Sequence, residues 1–353
     1  MRRPFWVVVL LALLGAGVWL TVAWRVPYQG FASPGVYVDI PHGASRRTIA
    51  RLLEENGVVR SRFAFEALAR LHPERTLEAG EYYFDRPERQ SDIFETIASG
   101  RVYKVQLVIP EGFDMFEIAD LAAREGFLTR EDFLAAARDP SPILDLAPGA
   151  SSLEGFLAPA TYEFPRHITG VDMVQTMVKR FRQEWTAVAE SEGGPPQDVA
   201  AVVTLASLVE RETPQASERP LVASVFANRL RRRVPLECDP TVIYALEIAG
   251  RYTGTLDAAD LRFASPYNTY QNRGLPPGPI ANPGEASLRA ALDPPKTDYL
   301  YFVANTQGGH FFSKTLAEHN KNVARFRRLR KEQERKQSGD VPARKPAAPG
   351  RPS

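Results

Sequence analysis

Cysteine is nearly absent: Cys238 is the only one in 353 residues. A single thiol excludes an internal disulfide framework and a zinc site built on several thiolates. The five histidines, His42, His72, His167, His310 and His319, include no pair at i, i+4 and no His-Glu-x-x-His, so the helix-borne metal-hydrolase pattern is missing. The chain also lacks Gly-x-Ser-x-Gly, a P-loop, and a Gly-x-Gly-x-x-Gly after a strand, which removes the usual signatures of serine acyl transfer and nucleotide chemistry. Net charge is short as well. Forty-four basic residues face 42 acidic ones, leaving +2 and no global field to draw nucleic acid. The expectation is no metal, no cofactor and no nucleic-acid partner.

What remains is ordinary globular composition, 44% apolar and 24% charged, with 29 prolines to fix turns and loops. The length suits two or three domains. Only the N-terminus carries a long apolar run. Phe5 to Trp24 holds no charge and ends at Arg25, and about 20 apolar residues at 1.5 Å rise cross a hydrocarbon core of roughly 30 Å. Trp6 and Trp24 stand near its ends, where indoles favour the interface. Arg2 and Arg3 put the N-terminus in the cytoplasm and the body outside. Thr21-Val22-Ala23 passes loosely as a signal-cleavage site, but the run is long for a signal peptide, so an uncleaved anchor is expected.

Beyond a linker holding Pro27, Gly30, Ser33 and Pro34, the alternation of Val36 to Ile40 predicts a strand. Pro41-His42-Gly43 turns the chain, and Ser45 is placed to cap a helix through Leu53. The same grammar returns 69 residues later. Val105 to Ile109 reads as a strand, Pro110-Glu111-Gly112 as a turn and Asp114 as a cap, and Gly57 pairs with Gly126. This is an internal strand–helix–helix repeat. Gly80 to Phe84 reads as a returning strand and Ser91 to Ala98 as a capped helix, so the first copy closes as a β-α-α-β module. It serves either as a binder of extended polymers or as a spacer.

From Ser151 the pattern turns helical, over Asp172–Trp185, Pro195–Glu212 and Arg219–Leu230, with a short strand at Tyr299–Val303. Arg325 to Arg335 reads as a basic helix, and Gly339 to Ser353 as a disordered, solvated tail. The expected fold class is α+β, mainly helical after the first module, with long ordered loops.

Within Val199 to Thr213, Val199, Val202, Val203, Ala206 and Val209 form an apolar stripe, with Glu210 at its edge, Arg211 pointing away and Glu212 on the other side. A carboxyl at the C-terminal end of an apolar helix is pushed toward its neutral form by desolvation and by the helix dipole. Glu210 is therefore the candidate acid. The alternative is a pair of surface glutamates flanking an arginine. Asn228-Arg229 ends the next helix, and downstream of it Asp239 to Tyr244, Ser265 to Tyr270 and Gly274 to Gly284 place Asn, Asp, Thr and Tyr on stiff loops, as a groove for sugar hydroxyls and pyranose faces requires. His310, after Gly308-Gly309 and before Phe311-Phe312, reads as a structural hydrogen-bonding residue first and a substrate contact second.

These segments closely resemble the YceG-like (MltG) family of endolytic murein transglycosylases. The resemblance runs from the anchor to about Val323, on Leu205–Thr213, Ser224–Leu230, Asp239–Tyr244, Tyr267–Tyr270, Gly274–Gly278 and Lys296–Ala304. It implies a LysM-like module over 36–104 and a second repeat and connector over 105–150. A transglycosylase domain would follow over 151–324 and a basic tail over 325–353, all behind an anchor in 1–25. The implied reaction cleaves the β-1,4 bond between N-acetylmuramic acid and N-acetylglucosamine without water, leaving a 1,6-anhydro end. Glu210 would be acid and then base, with Asn228, Arg229, Asp239, Thr241, Tyr244, Tyr267, Asn268, Thr269 and Tyr270 on the substrate. Glu212 and Asp239 are the candidates for any second carboxylate. The resemblance also implies a single-pass protein of the bacterial cytoplasmic membrane facing outward, with glycan strands as substrate and peptidoglycan synthases as partners. One departure is Ala160, where the family usually carries Asp. A scaffold that binds glycan without cleaving it, and a muramidase that uses water, are the rivals.

Overall fold

The structure, a computed structural model, describes residues 3–337 apart from Pro195 and Gln197. The tail expected to be disordered lies outside the described residues. The fold is α+β, rich in helix, with three two-stranded sheets among the described residues. It divides into two compact units, Met1–Leu107 with Tyr162–Ile168, and Val108–Thr161 with Thr169–Ser353.

The first unit opens with α1 (Arg3–Arg25), and Trp6–Arg25 is long and apolar enough to cross a membrane. The end of this helix is seated rather than free. Ala23 is buried, and the Trp24 indole donates to the Ala64 carbonyl at 2.7 Å. Then follow β1 (Val36–Ile40), α2 (Arg46–Glu55), α3 (Arg62–Leu71), β2 (Gly80–Phe84) and α4 (Gln90–Ala98). β1 and β2 pair antiparallel, Val36 opposite Phe84 and Ile40 opposite Gly80. Alternation turns Val38, Ile40, Tyr82 and Phe84 inward, onto Ile49, Leu53, Phe65, Phe94 and Ile97. Ser45 caps α2 by accepting from the Thr48 amide at 3.1 Å. Gly57 ends that turn at φ +69°, where a Cβ would lie 2.6 Å from the Gly30 carbonyl carbon, so only glycine fits. β3 (Lys104–Val108) pairs with β4 (Thr161–Pro165), so the chain returns to this unit after an excursion of some fifty residues.

The helices of the second copy of the repeat pack in the other unit, with the helical body. Asp114 accepts from the Phe116 and Glu117 amides at 2.9 and 2.8 Å, and the Glu117 carboxylate accepts from the Asp114 amide in return. This capping box starts α5 (Met115–Arg124), and α6 (Arg130–Ala137) follows. Next come α7 (Gly170–Ser191), α8 (Val199–Glu212), α9 (Arg219–Arg231), α10 (Asp239–Ile248) and α11 (Glu285–Leu292). A hairpin of β5 (Tyr301–Ala304) and β6 (His310–Ser313) leads into α12 (Leu316–Gln337). α8 is the central helix, packed by α9, α10 and α11. Every residue from Val203 through Glu210 is buried, where the sequence stripe predicts one buried face. A helix enclosed on several sides has no solvent face to set that stripe against. Asp239 to Tyr244 is helical rather than a stiff loop, because Pro240 sits in the first turn, where its missing N–H costs nothing.

Candidate active site

The two glutamates near the end of α8 have different surroundings. Residues two apart on a helix point about 200° from each other. The Glu210 side chain is 4% exposed and meets Arg219, 7% exposed, at 2.6 Å. Its other oxygen accepts the Gly284 amide at 2.9 Å. Arg219 also reaches Glu111 at 3.0 Å, and a Cβ on Gly284 would lie 2.1 Å from that carboxylate. Desolvation raises the Glu210 carboxyl, while the Gly284 amide and Arg219 oppose the rise. Both oxygens are engaged by protein, so the residue joins α8, α9 and the start of α11. Arg211 extends the framework, donating to the Gly112 carbonyl at 2.8 Å and to Glu117 at 2.9 Å.

Glu212 faces a cavity of about 280 Å³. The walls are Arg229 from α9, Leu236, Glu237 and Asp239 at the start of α10, Tyr270, Phe302 of β5 and His319 of α12. Desolvation pushes the Glu212 carboxyl up to about 7. Asp239 adds to the rise, and the Cys238 thiol and Arg229 hold it back. Tyr270 donates to Asp239 at 2.5 Å, which fixes the ring at the cavity edge. His319 is pushed down by desolvation and then by Arg229, so at neutral pH it is an uncharged wall.

The other expected substrate contacts build the walls instead of facing the cavity. Asn228 is buried and donates to the carbonyls of Thr297 and Tyr299 at 2.9 and 2.8 Å. Thr241 and Thr269 are buried against each other, hydroxyl to hydroxyl at 2.9 Å, and the Thr269 hydroxyl also takes the Cys238 amide at 3.0 Å. Asn268 donates to the carbonyls of Leu261 and Phe263. The Thr269 bonds pin the Tyr267–Tyr270 loop to the first turn of α10, and those of Asn268 tie it to the segment before it. Arg229 lines the cavity and also acts as a clamp, donating to the carbonyls of Leu300, Pro235 and Leu236 at 2.7, 2.9 and 3.0 Å. His310 faces Glu218 at 2.7 Å on the hairpin, a structural contact.

Tyr244 and Tyr267 stand elsewhere, their rings 5.1 Å apart. Tyr244 donates to Glu154 at 3.0 Å, and Glu154 also accepts from the Met115 amide and from Asn282. Burial and the nearby Asp114 push Glu154 up to about 8. Tyr267 and Glu154 line a second, smaller cavity of about 130 Å³. Sequence reasoning gives Glu154 no role. It stands six residues before Ala160 in a segment without helical or strand periodicity, and only its long-range partners reveal it.

A model of the YceG-like family matches residues 38–325. The endolytic murein transglycosylase of Bacillus subtilis is 35% identical over 85% of this chain and 87% of its own length. The protein of that description from Streptococcus pneumoniae is 30% identical over 90% of this chain, which spans 63% of that longer relative. A crystal structure of a putative YceG-like protein from Listeria monocytogenes superposes with a TM-score of 0.53 at 35% identity, covering 82% of this chain and 99% of the other. With the family model covering most of its length and the aligned relatives sharing about a third of their residues, the chain belongs to the YceG-like family.

Proposed function

We propose that this chain is an endolytic lytic transglycosylase of peptidoglycan and that Glu212, rather than Glu210, is its acid and base. The observation that carries the assignment is a carboxyl near pH 7 opening on a polar, tyrosine-edged cavity. Glu210 is instead closed off by Arg219 and Gly284. A general acid works best with a pKa near the working pH. Protonated Glu212 donates to the glycosidic oxygen as the C1–O bond breaks. The muramic C6 hydroxyl oxygen then bonds to C1, and the Glu212 carboxylate takes the hydroxyl proton back. Nothing is added or lost, so no water-activating base or protein nucleophile is needed, unlike an ordinary glycosidase. Asp239 raises Glu212 toward the working range, Tyr270 holds Asp239 and offers the cavity a ring for the sugar, and Arg229, paired with Glu237 at 3.0 Å, forms a polar wall.

The first unit, with its β-α-α-β core, is read as a LysM-like module, and α1 as an uncleaved single-pass anchor with the body on the outer face. Cleavage after Ala23 would remove a residue buried against that unit, which supports retention. Synthases that make the nascent strands are the partners this location implies.

The test is digestion of purified glycan strands followed by mass analysis of the ends. Anhydro ends from the wild type, lost in Glu212→Gln and kept by whatever fraction of Glu210→Gln is folded, are the expected result. Reducing ends would make the chain a muramidase, and no cleavage would make it a scaffold. Full activity in Glu212→Gln would return the role to Glu210.

A further inference from the structure

We propose that the pole of the first unit around the end of α1 rests on the bilayer, with Phe63 inserted at the headgroup level and a ring of arginines on lipid phosphates. The proposal rests on reading α1 as a membrane span. Because the Trp24 indole is bonded to the Ala64 carbonyl and Ala23 is buried, the N-terminal turn of α3 lies directly against the last turn of the span. Phe63 is the next residue, and it is 61% exposed in a unit that buries Phe65, Phe84 and Phe94. A side chain one position from the span's own contact is within reach of the acyl boundary without any rearrangement.

The surrounding charge fits the same partner. Arg25 ends the span, the Arg60 guanidinium lies 4.9 Å over the Tyr28 ring, and that of Arg62 lies 4.8 Å over Phe63. Tyr28 pairs through its backbone with Glu88, at 3.0 and 3.3 Å, between Arg86 and Arg89. Across 25–28, 60–63 and 86–89 the sequence holds five arginines and one acid, Glu88. Glu54 and Asp85 stand just outside; Glu54 sits 3.6 Å from Arg62 and Glu88 3.4 Å from Arg86, which leaves an excess of arginine over acid. An exposed aromatic ring among arginines that keep their stems on apolar surface and their heads in the phosphate layer is how a protein face binds anionic lipid. A soluble partner would have to enter the space that the emerging span assigns to lipid.

The experiment uses the full chain reconstituted in phosphatidylcholine vesicles, with or without phosphatidylglycerol. An environment-sensitive fluorophore is placed in separate variants at Phe63→Cys, Arg60→Cys, Leu13→Cys and Leu71→Cys. Cys238 is buried, and the wild type supplies the labelling blank. Leu71 is 64% exposed, as open as Phe63, but lies at the far end of α3, about 12 Å away at 1.5 Å per residue. Spin-labelled lipids should quench positions 60 and 63 several-fold more than 71, with shallow labels most effective at 63. Phosphatidylglycerol should increase that quenching, and Arg89→Gln should reduce the increase. Position 13 quenched with 60 and 63 no different from 71 would overturn the docking and leave the anchor standing. Position 13 unquenched would overturn the anchor reading, and the docking with it.

Discussion

Glu212→Gln should stabilise the protein while stopping turnover, and the stabilisation should depend on pH. The carboxyl has an ordinary value of 4.5 and stands at about 7 in the fold. Below pH 4.5 it is protonated whether the chain is folded or not, and it contributes nothing to the balance. Between 4.5 and 7 the unfolded chain releases a proton that the folded one keeps, so stability falls as pH rises, by about 1.4 kcal/mol for each pH step. Above 7 both states are ionised and the loss is constant, at about 2–3 kcal/mol once the water of the cavity is allowed for. An amide carries no such burden. With about 2–4 °C per kcal/mol for a unit of this size, the variant should melt about 5–10 °C above the wild type at pH 8. The two should coincide at pH 4. Scanning calorimetry of the detergent-solubilised chain at pH 4, 6 and 8 measures the difference. A gap equal at pH 4 and pH 8 would refute the reasoning. The wild-type rate should likewise fall above pH 7 with the slope of one proton.

Glu210→Gln should act in the opposite sense. It strands Arg219 against Glu111 alone and should cost about 3 kcal/mol, read as a lowered denaturant midpoint, because breaking one partner of a buried pair leaves an uncompensated charge. Gly155→Ala should cost more than about 2 kcal/mol, again by denaturation. Its φ is +85°, and the added methyl would lie 2.5 Å from Pro279 and 2.9 Å from Val203. Asn282→Ala removes bonds to the Leu157 amide, the Phe113 carbonyl and Glu154. It should destabilise by about 2–4 kcal/mol and speed amide exchange at Leu157.

Much of the architecture could be read from local signals. Ser45 and Asp114 announce their helices because short polar side chains replace missing intrahelical bonds, and Gly57 and Gly126 both adopt the positive φ that marks the end of the turn. Strand alternation in Val36–Ile40 survives because one face is buried. What could not be read depends on residues distant in sequence. The difference between Glu210 and Glu212 is made by Arg219, by an amide at Gly284 and by a cavity wall reaching His319, none of which leaves a trace in the periodicity of α8. The return of Thr161–Pro165 to pair with β3 is equally silent, since a short alternating segment does not name its partner. The family motifs told which segments meet, but Asn228, Thr241, Asn268 and Thr269 are bonded to loop backbone or to each other, and motif matching gives such residues the same weight as those that line the cavity.

The cavity around Glu212 is assembled from pieces more than a hundred residues apart, and Arg229 fastens its wall to a carbonyl 71 residues further on. Long-range closure of this kind comes late in folding. A chain still being synthesised or exported, with its hairpin and α12 not yet delivered, would have Glu212 but no pocket around it. If Glu212 is the acid and base proposed above, the site would come into being only when the whole second unit is in place. On the proposed assignment, chain connectivity would itself keep the cutting chemistry away from the wall until the chain is whole.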